Sequence, residues 1–381
     1  MRPRPDLALF AATSGHSGVD RIVANLLPAL AGLGLRIDLL NIRGHGPRLD
    51  PVPDGVRVVD LGRAHVWPAL PALVAYLKRE RPRVLLSDKD KVNRAALAAR
   101  ALAGGDTRAF VRLGTTVSHN LASRPWFDRA VQTLSMRSLY RFAAGVLVPS
   151  QGVAGDFAAF TGLPRARIHV VPNPVVTPHM QALAAGAPGH PWLTDGGAPV
   201  ILGVGELSAR KDFATLLRAF ARLRRQRPCR LLILGEGRRR ERLLALAAEL
   251  GIADDLALPG FVANPYPAMR AAAAFALTSQ WEGLGIVLVE ALALGTPVVA
   301  CDCPSGPREV LADGRYGPLV AVGDDAALAA ALAGLLDVPP PPALLAEAAA
   351  PYTVEASARA YARALGLELP ACSPAPQENP A

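Results

Sequence analysis

At 381 residues and 51% hydrophobic, the chain is long enough to bury two cores, and none of its apolar runs reaches the ~20 residues that span a bilayer. Its net charge of +9 is unevenly spread: residues 1–172 carry 24 Lys/Arg against 12 Asp/Glu, and residues 173–381 carry 17 against 20. The basic half predicts an anionic partner (a membrane surface, nucleic acid or a phosphorylated substrate), while the scattered Cys229, Cys301, Cys303 and Cys372 form neither a disulfide framework nor a zinc pair and read as buried or incidental thiols.

The amino end, MRPRPDLALFAATSG, reads as a first strand running into a glycine loop rather than as a signal peptide. Strands are predicted at 6–11, 35–41, 83–87, 109–113 and 145–149, with helices at 18–32, 67–80, 92–103, 126–143 and 151–161. A Pro/Gly-rich stretch punctuates the chain at 173–198. The alternation then restarts with strand 199–205, helix 212–227, strand and loop 229–237, helix 238–250, and strands in DLALPG, AFALTS and PVVAC. The pattern predicts an α/β protein of two Rossmann-like, doubly wound domains facing across a cleft, at 1–172 and 199–350, with 173–198 as hinge. A helix within 351–368 is expected to pack back on the first domain, and the tail 369–381 to be disordered.

The stretch WEGLGIVLVEALALGTPVVACDCPSG (281–306) sets Glu290 inside an apolar run, with Glu282 just before it. A buried unpaired carboxylate costs several kcal/mol or shifts its pKa until neutral, so Glu290 either faces out or is hydrogen-bonded. If a helix starts near Gly285, the two carboxylates are separated by ~12 Å of helical rise. Between them lie helix N-terminal amides, with Gly283, Leu284 and Gly285 letting backbone approach a phosphate. Carboxylate, phosphate cradle, carboxylate matches a nucleotide sugar. An ordinary helix with an outward Glu290 explains these residues equally well when they are taken alone.

ELSARKD (206–212) favours the first reading, because Arg210 and Lys211 follow a strand's carboxyl end, where open α/β sheets bind ligands. Two cations there suit a departing diphosphate. TSGHSGVDR (13–21), with Gly15 and Gly18, offers backbone amides but has neither P-loop nor dinucleotide spacing. Asp88 and Asp90 in SDKDKVN are flanked by lysines that would repel a divalent cation, so they read as a solvated loop or part of an acceptor side, and no metal is expected.

Together these segments resemble the family-4 retaining glycosyltransferases of GT-B fold over nearly the whole chain. EGLGIVLVEALALGTPVVACDCPSGPREVL resembles the family's motif of two glutamates seven residues apart, and GELSARKDF its GRLxxxKxF segment. SGVDRIVANLLPALAGLG is similar to its amino-terminal GGxER entry, and VLVPSQGVAGDF, VVPNPV, GFVANPYPAMRAA and YGPLVAVGD also fit. The resemblance implies that Glu290 holds ribose, Glu282 the donor-sugar hydroxyls, and Lys211 with Arg210 the diphosphate. It also implies that Gly15 and Gly18 approach the phosphates, that His119 in RLGTTVSHN lies near the reaction centre, and that Gly235, Phe261, Val262 and the 283–285 turn line the nucleotide. Glu206 departs from the family's common Arg, with Arg210 as the available substitute. CPSGP replaces a Gly-Gly turn, as in a subset that resembles enzymes elongating lipid-linked or surface saccharides.

The implied reaction is retaining transfer of a hexosyl group from a nucleotide diphosphate sugar, expected to be a UDP-sugar, to a glycan or polyprenyl-diphosphate-linked saccharide. No cofactor is expected. The basic first domain would meet an anionic membrane, placing the protein in the cytoplasm and peripherally on the inner membrane face. Rival readings are a sugar-nucleotide epimerase of the same fold, a non-catalytic nucleotide-sugar sensor and a nucleic-acid binder. Against the last, the basic residues are dispersed, no aromatic stacking platform appears and no recognised motif is present.

Overall fold

Runs such as LALF (7–10) and VVAC (298–301) are apolar at every position and buried throughout, which suits strands covered on both faces in parallel sheets. The structure, a computed structural model, describes residues 3–13, 18–43, 45–122 and 124–369. One sheet is built from β1 (Leu7–Phe10), β2 (Ile37–Asn41), β3 (Val56–Asp60), β4 (Val84–Asp88), β5 (Arg108–Arg112), β6 (Gly145–Val148) and β7 (Ile168–Val170) in the order β3-β2-β1-β4-β5-β6-β7. The other takes β8 (Val200–Val204), β9 (Arg230–Leu234), β10 (Leu256–Gly260), β11 (Ala274–Leu277), β12 (Val298–Cys301) and β13 (Leu319–Val320) in the order β10-β9-β8-β11-β12-β13. Each order reverses once, at β1/β4 and at β8/β11. Such a switch point opens a crevice at the carboxyl ends of the two strands.

The chain divides into two compact units. One comprises residues up to Leu113, Gln132–Leu147 and the chain from Ser357; the other comprises Gly114–Val131 and Val148–Ala356. These bounds differ from a simple cut at 172. In the first unit, the helix Val354–Leu365 contributes Tyr361, whose hydroxyl accepts from Arg112 Nε at 2.8 Å, while Arg108 Nη2 donates to the carbonyls of Leu365 and Gly366. In the second unit, two apolar clusters cover the sheet; one contains Leu202, Phe275 and Leu288, the other Ile201, Phe220 and Val299.

The stretch 173–198, expected as a hinge, packs on the second unit. Val175, Met180 and Ala184 belong to the second unit's core, and the backbone amides of Val175 and Val176 both donate to Tyr352 O at 2.9 Å. Its prolines and glycines bound short elements, including the helix Pro178–Leu183, whose cap Thr177 Oγ1 accepts from Met180 N at 2.9 Å. Of the tail 369–381 expected to be disordered, residues 370–381 lie outside those described.

Asp88 also departs from expectation. It is not in a solvated loop: it ends β4, is 4% exposed, and forms an ion pair with Arg112, its neighbour in register on β5. Arg112 is itself buried; burial lowers its pKa, but the charge and hydrogen bonds of Asp88 and Tyr361 together outweigh that and hold it above the usual value. Asp90 accepts from Tyr140 Oη at 3.1 Å and pairs with Arg94. Cys229, Cys301 and Cys303 are buried free thiols, pushed up by burial to about 11, 11 and 12, well above reactive values. Cys372 lies outside the described residues.

Candidate functional site

Two loops flank the switch point of the second sheet. The loop after β8 carries Arg210 and Lys211, and the loop after β11 carries Glu282. Backbone and side-chain bonds hold them together: Gln280 N donates to Arg210 O at 2.7 Å, and Thr278 Oγ1 donates to Lys211 O at 2.8 Å. The side chains converge on one carboxylate. Lys211 Nζ lies 2.6 Å from Glu282 Oε1, Ser279 Oγ donates to the same oxygen at 2.7 Å, and Arg210 Nη1 reaches Oε2 at 3.0 Å.

Glu282 is 6% exposed and Lys211 8% exposed, while Arg210 stays half-buried. Burial pushes the Glu282 carboxyl up, but the charges of Lys211 and Arg210 and the hydrogen bonds from Lys211 and Ser279 outweigh it, holding the group below its usual value. The Glu282 carboxyl is therefore ionised near neutral pH. A carboxylate offers about four lone-pair directions, and these three donors leave room for one more, such as a sugar hydroxyl.

Past Glu282 the chain turns through Gly283 and Leu284 into the helix Ile286–Ala293, whose N-cap is Gly285 at φ +85°. That φ is one that side-chain-bearing residues adopt at a cost. The turn is pinned by Thr116 Oγ1, which donates to Glu282 O at 2.8 Å, and by Ser150 Oγ, which donates to Gly283 O at 2.7 Å. Both partners lie in the same unit. Gly283 has no room for a side chain, because a Cβ there would sit 2.0 Å from Gly114 O.

Glu290, one turn into that helix, is 1% exposed rather than outward, and its Oε1 accepts from Tyr266 Oη at 3.2 Å. An ordinary outward-facing glutamate is thus excluded. The opposite loop ends lie on the same sheet edge. Gly235 N donates to Gly260 O at 2.8 Å, and a Cβ on Gly235 would meet Gly205 O, so the chain after β8, β9 and β10 packs backbone to backbone. Phe261 is 72% exposed and Val262 is exposed beside it, with Phe261 N 3.4 Å from Glu236 Oε1. Glu206 is exposed in the loop after β8, with Ser208 N donating to its carbonyl.

His119, in the helix Val117–Ala122, is exposed and stacks on Trp281, with the ring centroids 6.0 Å apart and inclined by 21°. The second unit thus gathers Glu282, Lys211, Arg210, the 283–285 turn and His119 around one loop. Gly18 opens a helix of the first unit with nothing within 4 Å of a Cβ, so packing does not demand glycine there; Gly15 lies outside the described residues. Sequence reasoning missed Ser279, Thr278, Thr116, Trp281 and Tyr266. Ser279 had a signal in its spacing, three residues before Glu282 on one tight loop; the others meet the site only through tertiary structure.

The Glycosyl transferases group 1 family matches residues 191–351, and the Glycosyl transferase 4-like domain matches residues 17–174. The chain is 30% identical over 341 residues to an N-acetylgalactosamine-N,N'-diacetylbacillosaminyl-diphospho-undecaprenol 4-alpha-N-acetylgalactosaminyltransferase of Campylobacter jejuni, covering 87% of this chain and 90% of that one. It is 38% identical over 154 residues to a GDP-mannose-dependent alpha-(1-6)-phosphatidylinositol monomannoside mannosyltransferase of Mycolicibacterium smegmatis, which covers 38% of this chain and 40% of that one. Among solved structures, Anabaena HepE in complex with UDP superposes with a TM-score of 0.76 at 19% identity, over 95% of this chain and 99% of that one. These likenesses fit the two sheet orders described above.

Proposed function

The chain belongs to the family-4 glycosyltransferases of GT-B fold, and from that premise we propose that it transfers a hexosyl group from a UDP-sugar, with retention, to a lipid-linked or polysaccharide acceptor. The observation carrying the reading is the Lys211–Glu282–Arg210 cluster at the β8/β11 switch point, beside a helix N-terminus whose amides favour phosphate. Relatives support the coarser part. The Campylobacter enzyme's name specifies a diphospho-undecaprenol acceptor, and HepE binds UDP in one structure and UDP-glucose in another.

In this reading Glu290 holds the ribose hydroxyls, the amides of the 283–285 turn face the diphosphate, and Glu282 takes a donor-sugar hydroxyl on its remaining lone pair. Arg210 and Lys211 stabilise the charge that develops on the departing diphosphate. Among the described residues no second carboxylate is placed as a covalent nucleophile; in this reading the acceptor attacks on the face the diphosphate leaves, and a β-phosphate oxygen takes the acceptor proton. His119 on Trp281 is assigned to the sugar end, and Gly235, Phe261 and Val262 to the base end. Protein groups then work by positioning and by electrostatics.

The deciding experiment is a thermal-shift screen of UDP, GDP and their sugars, followed by product analysis with a saccharide acceptor. Stabilisation by UDP-sugars and an α-linked product from an α-linked donor support the proposal. Stabilisation by GDP alone overturns the donor assignment, and inverted product overturns retention.

A further inference from the structure

The sequence GRRRER (237–242) sets arginines at the start of the helix Arg240–Glu249, where the backbone amides already carry positive partial charge. Cations there oppose the helix dipole, and the N-cap, Arg239, gives the free amides no side-chain bond. An anion held nearby would resolve the conflict. The structure has a place for one. Between this helix and the helix Phe213–Arg224 lies a cavity of about 250 Å³, lined by Arg218, Arg239 and Arg242, by Ser208 and Asp212 of the loop after β8, and by Glu249. Other arginines of the helix Phe213–Arg224 have carboxylate partners: Arg222 pairs with Asp325 and Arg224 with Asp255. Among the described residues, Arg218, Arg239 and Arg242 have none within ion-pair distance. Ser208 Oγ is buried without a hydrogen-bond partner, a state that few buried polar atoms keep.

The two acids do not cancel the arginines. Asp212 Oδ2 accepts from Thr215 Oγ1 at 2.8 Å, and Glu249 lies ~10 Å of helical rise beyond Arg242, where it can accept from hydroxyls. Drug-sized ligands fill roughly 300–1,000 Å³, so this cavity suits a molecule smaller than a nucleotide sugar. Its position matters to the loop behind it. Ser208 and Asp212 bracket Arg210 and Lys211, the cations bonded to Glu282. Asp212 holds φ +45°, which residues with a side chain adopt at a cost. The other wall is tied to the same loop: Arg239 N donates to Leu207 O at 3.1 Å, and Leu207 N donates to Glu236 O at 2.8 Å. A ligand bridging Ser208 and Arg239 therefore bears directly on the segment that presents Arg210 and Lys211.

We propose that this cavity is a second anion site, which takes a compact hydroxylated phosphomonoester and sets the loop holding Arg210 and Lys211. The phosphate lies on Ser208, Arg218, Arg239 and Arg242, and the hydroxyls reach toward Glu249. The site rests on the cavity itself. Only its effect on turnover rests on the function proposed above.

The test is calorimetric titration of the full chain with ribose 5-phosphate, inorganic phosphate or ribose in phosphate-free buffer. Ribose 5-phosphate is expected to bind, phosphate to bind more weakly, and ribose not to bind. Arg218→Ser with Arg242→Ser should lower the affinity for ribose 5-phosphate at least about tenfold, while keeping the unfolding temperature and any shift produced by UDP. Ser208→Ala should also weaken binding, yet leave the free protein as stable as the wild type, because the hydroxyl has no partner to lose. Lys211→Ala should keep the affinity. Saturating ribose 5-phosphate should change wild-type turnover by about fivefold or more, with no such change in the arginine variant. Wild-type protein that binds no ribose 5-phosphate overturns the proposal. So does an affinity that falls in Lys211→Ala and holds in the arginine variant, which assigns the anion to the cations on Glu282. Phosphate that binds as tightly as ribose 5-phosphate overturns the part given to Glu249, and unchanged turnover overturns control of the loop. Ribose 5-phosphate binding without any UDP shift leaves the anion site standing and removes the donor assignment instead.

Discussion

Lys211 Nζ and Glu282 Oε1 lie 2.6 Å apart, tying the loop after β8 to the loop after β11. Lys211→Ala would leave the buried carboxylate with Arg210 as its remaining charged partner. Breaking a buried, hydrogen-bonded charge pair costs about 1–3 kcal/mol when a second cation stays nearby. Turnover should fall ~100-fold or more if the same ammonium stabilises the diphosphate. Kinetics and thermal unfolding on one preparation separate the two effects. Lost stability with near-wild-type kcat would confine Lys211 to a structural part.

The acid limb of stability tests the charge on Glu282. Its folded pKa is depressed, so its stabilising contribution is complete above the unfolded carboxylate value of ~4.3 and is lost as pH falls through the folded one. Glu282→Gln should therefore flatten this group's share of the stability loss below pH ~4.3, and lower stability at neutral pH by leaving Lys211 unpaired. Urea midpoints across the acid range decide it. An unchanged acid slope in the variant would show that the carboxylate is not held ionised by its cations.

The doubly wound pattern was legible because parallel strands buried on both faces are continuous apolar runs, as in β1 and β12. The edge strand β3, VRVVD, is partly exposed and interleaves charge, so no such run announces it. The candidate site was legible as residue types but not as partners. Glu282 is expected to take donor-sugar hydroxyls, but its bonds to Lys211, Arg210 and Ser279 are not readable from the sequence, since 71 residues of chain separate it from Lys211. Asp88 looked solvated beside Lys89; only the β4/β5 register, which sets it against Arg112, reveals its buried partner. Pairing across strands is tertiary information that spacing along the chain does not carry.

Glu290 offers the most direct probe of nucleotide binding. Its carboxylate is buried and accepts from Tyr266 Oη, so it is held in place before any ligand arrives. Glu290→Ala should weaken UDP binding about tenfold or more, since a hydrogen bond to a charged group is worth ~1.5–3 kcal/mol. Tyr266→Phe, which removes only the orienting hydroxyl, should cost less. Calorimetric titration with UDP measures both. Equal UDP affinity in wild type and Glu290→Ala would end the ribose assignment.

Asp88 separates structure from metal chemistry. Asp88→Ala strands the buried Arg112 guanidinium, and breaking such a pair costs about 3–5 kcal/mol, part of which Tyr361 Oη offsets by accepting from Arg112. A large drop in unfolding midpoint is expected, together with turnover by the wild type that is indifferent to EDTA. If EDTA abolished wild-type activity and a divalent cation restored it, the carboxylates Asp88 and Asp90 would need a different role.

Glycine substitutions distinguish the tight turn from the open one. A Cβ on Gly283 would sit 2.0 Å from Gly114 O and 3.1 Å from Thr115 Cα, atoms of backbone that cannot rotate aside. Gly283→Ala must therefore displace either the 114–115 segment or the turn that leads to Gly285, and with it the amides at the start of the helix Ile286–Ala293. The expected outcome is a loss of stability in the ~1–3 kcal/mol range of overpacked sites, with weakened UDP binding. Gly18→Ala meets open space at the first position of a helix and should leave stability unchanged or raise it by less than ~1 kcal/mol. Denaturant unfolding of the two variants side by side gives the comparison. Equal stability would mean that Gly283 and Gly114 do not approach as closely as the structure shows, and the turn that presents the proposed phosphate amides would lose its steric basis.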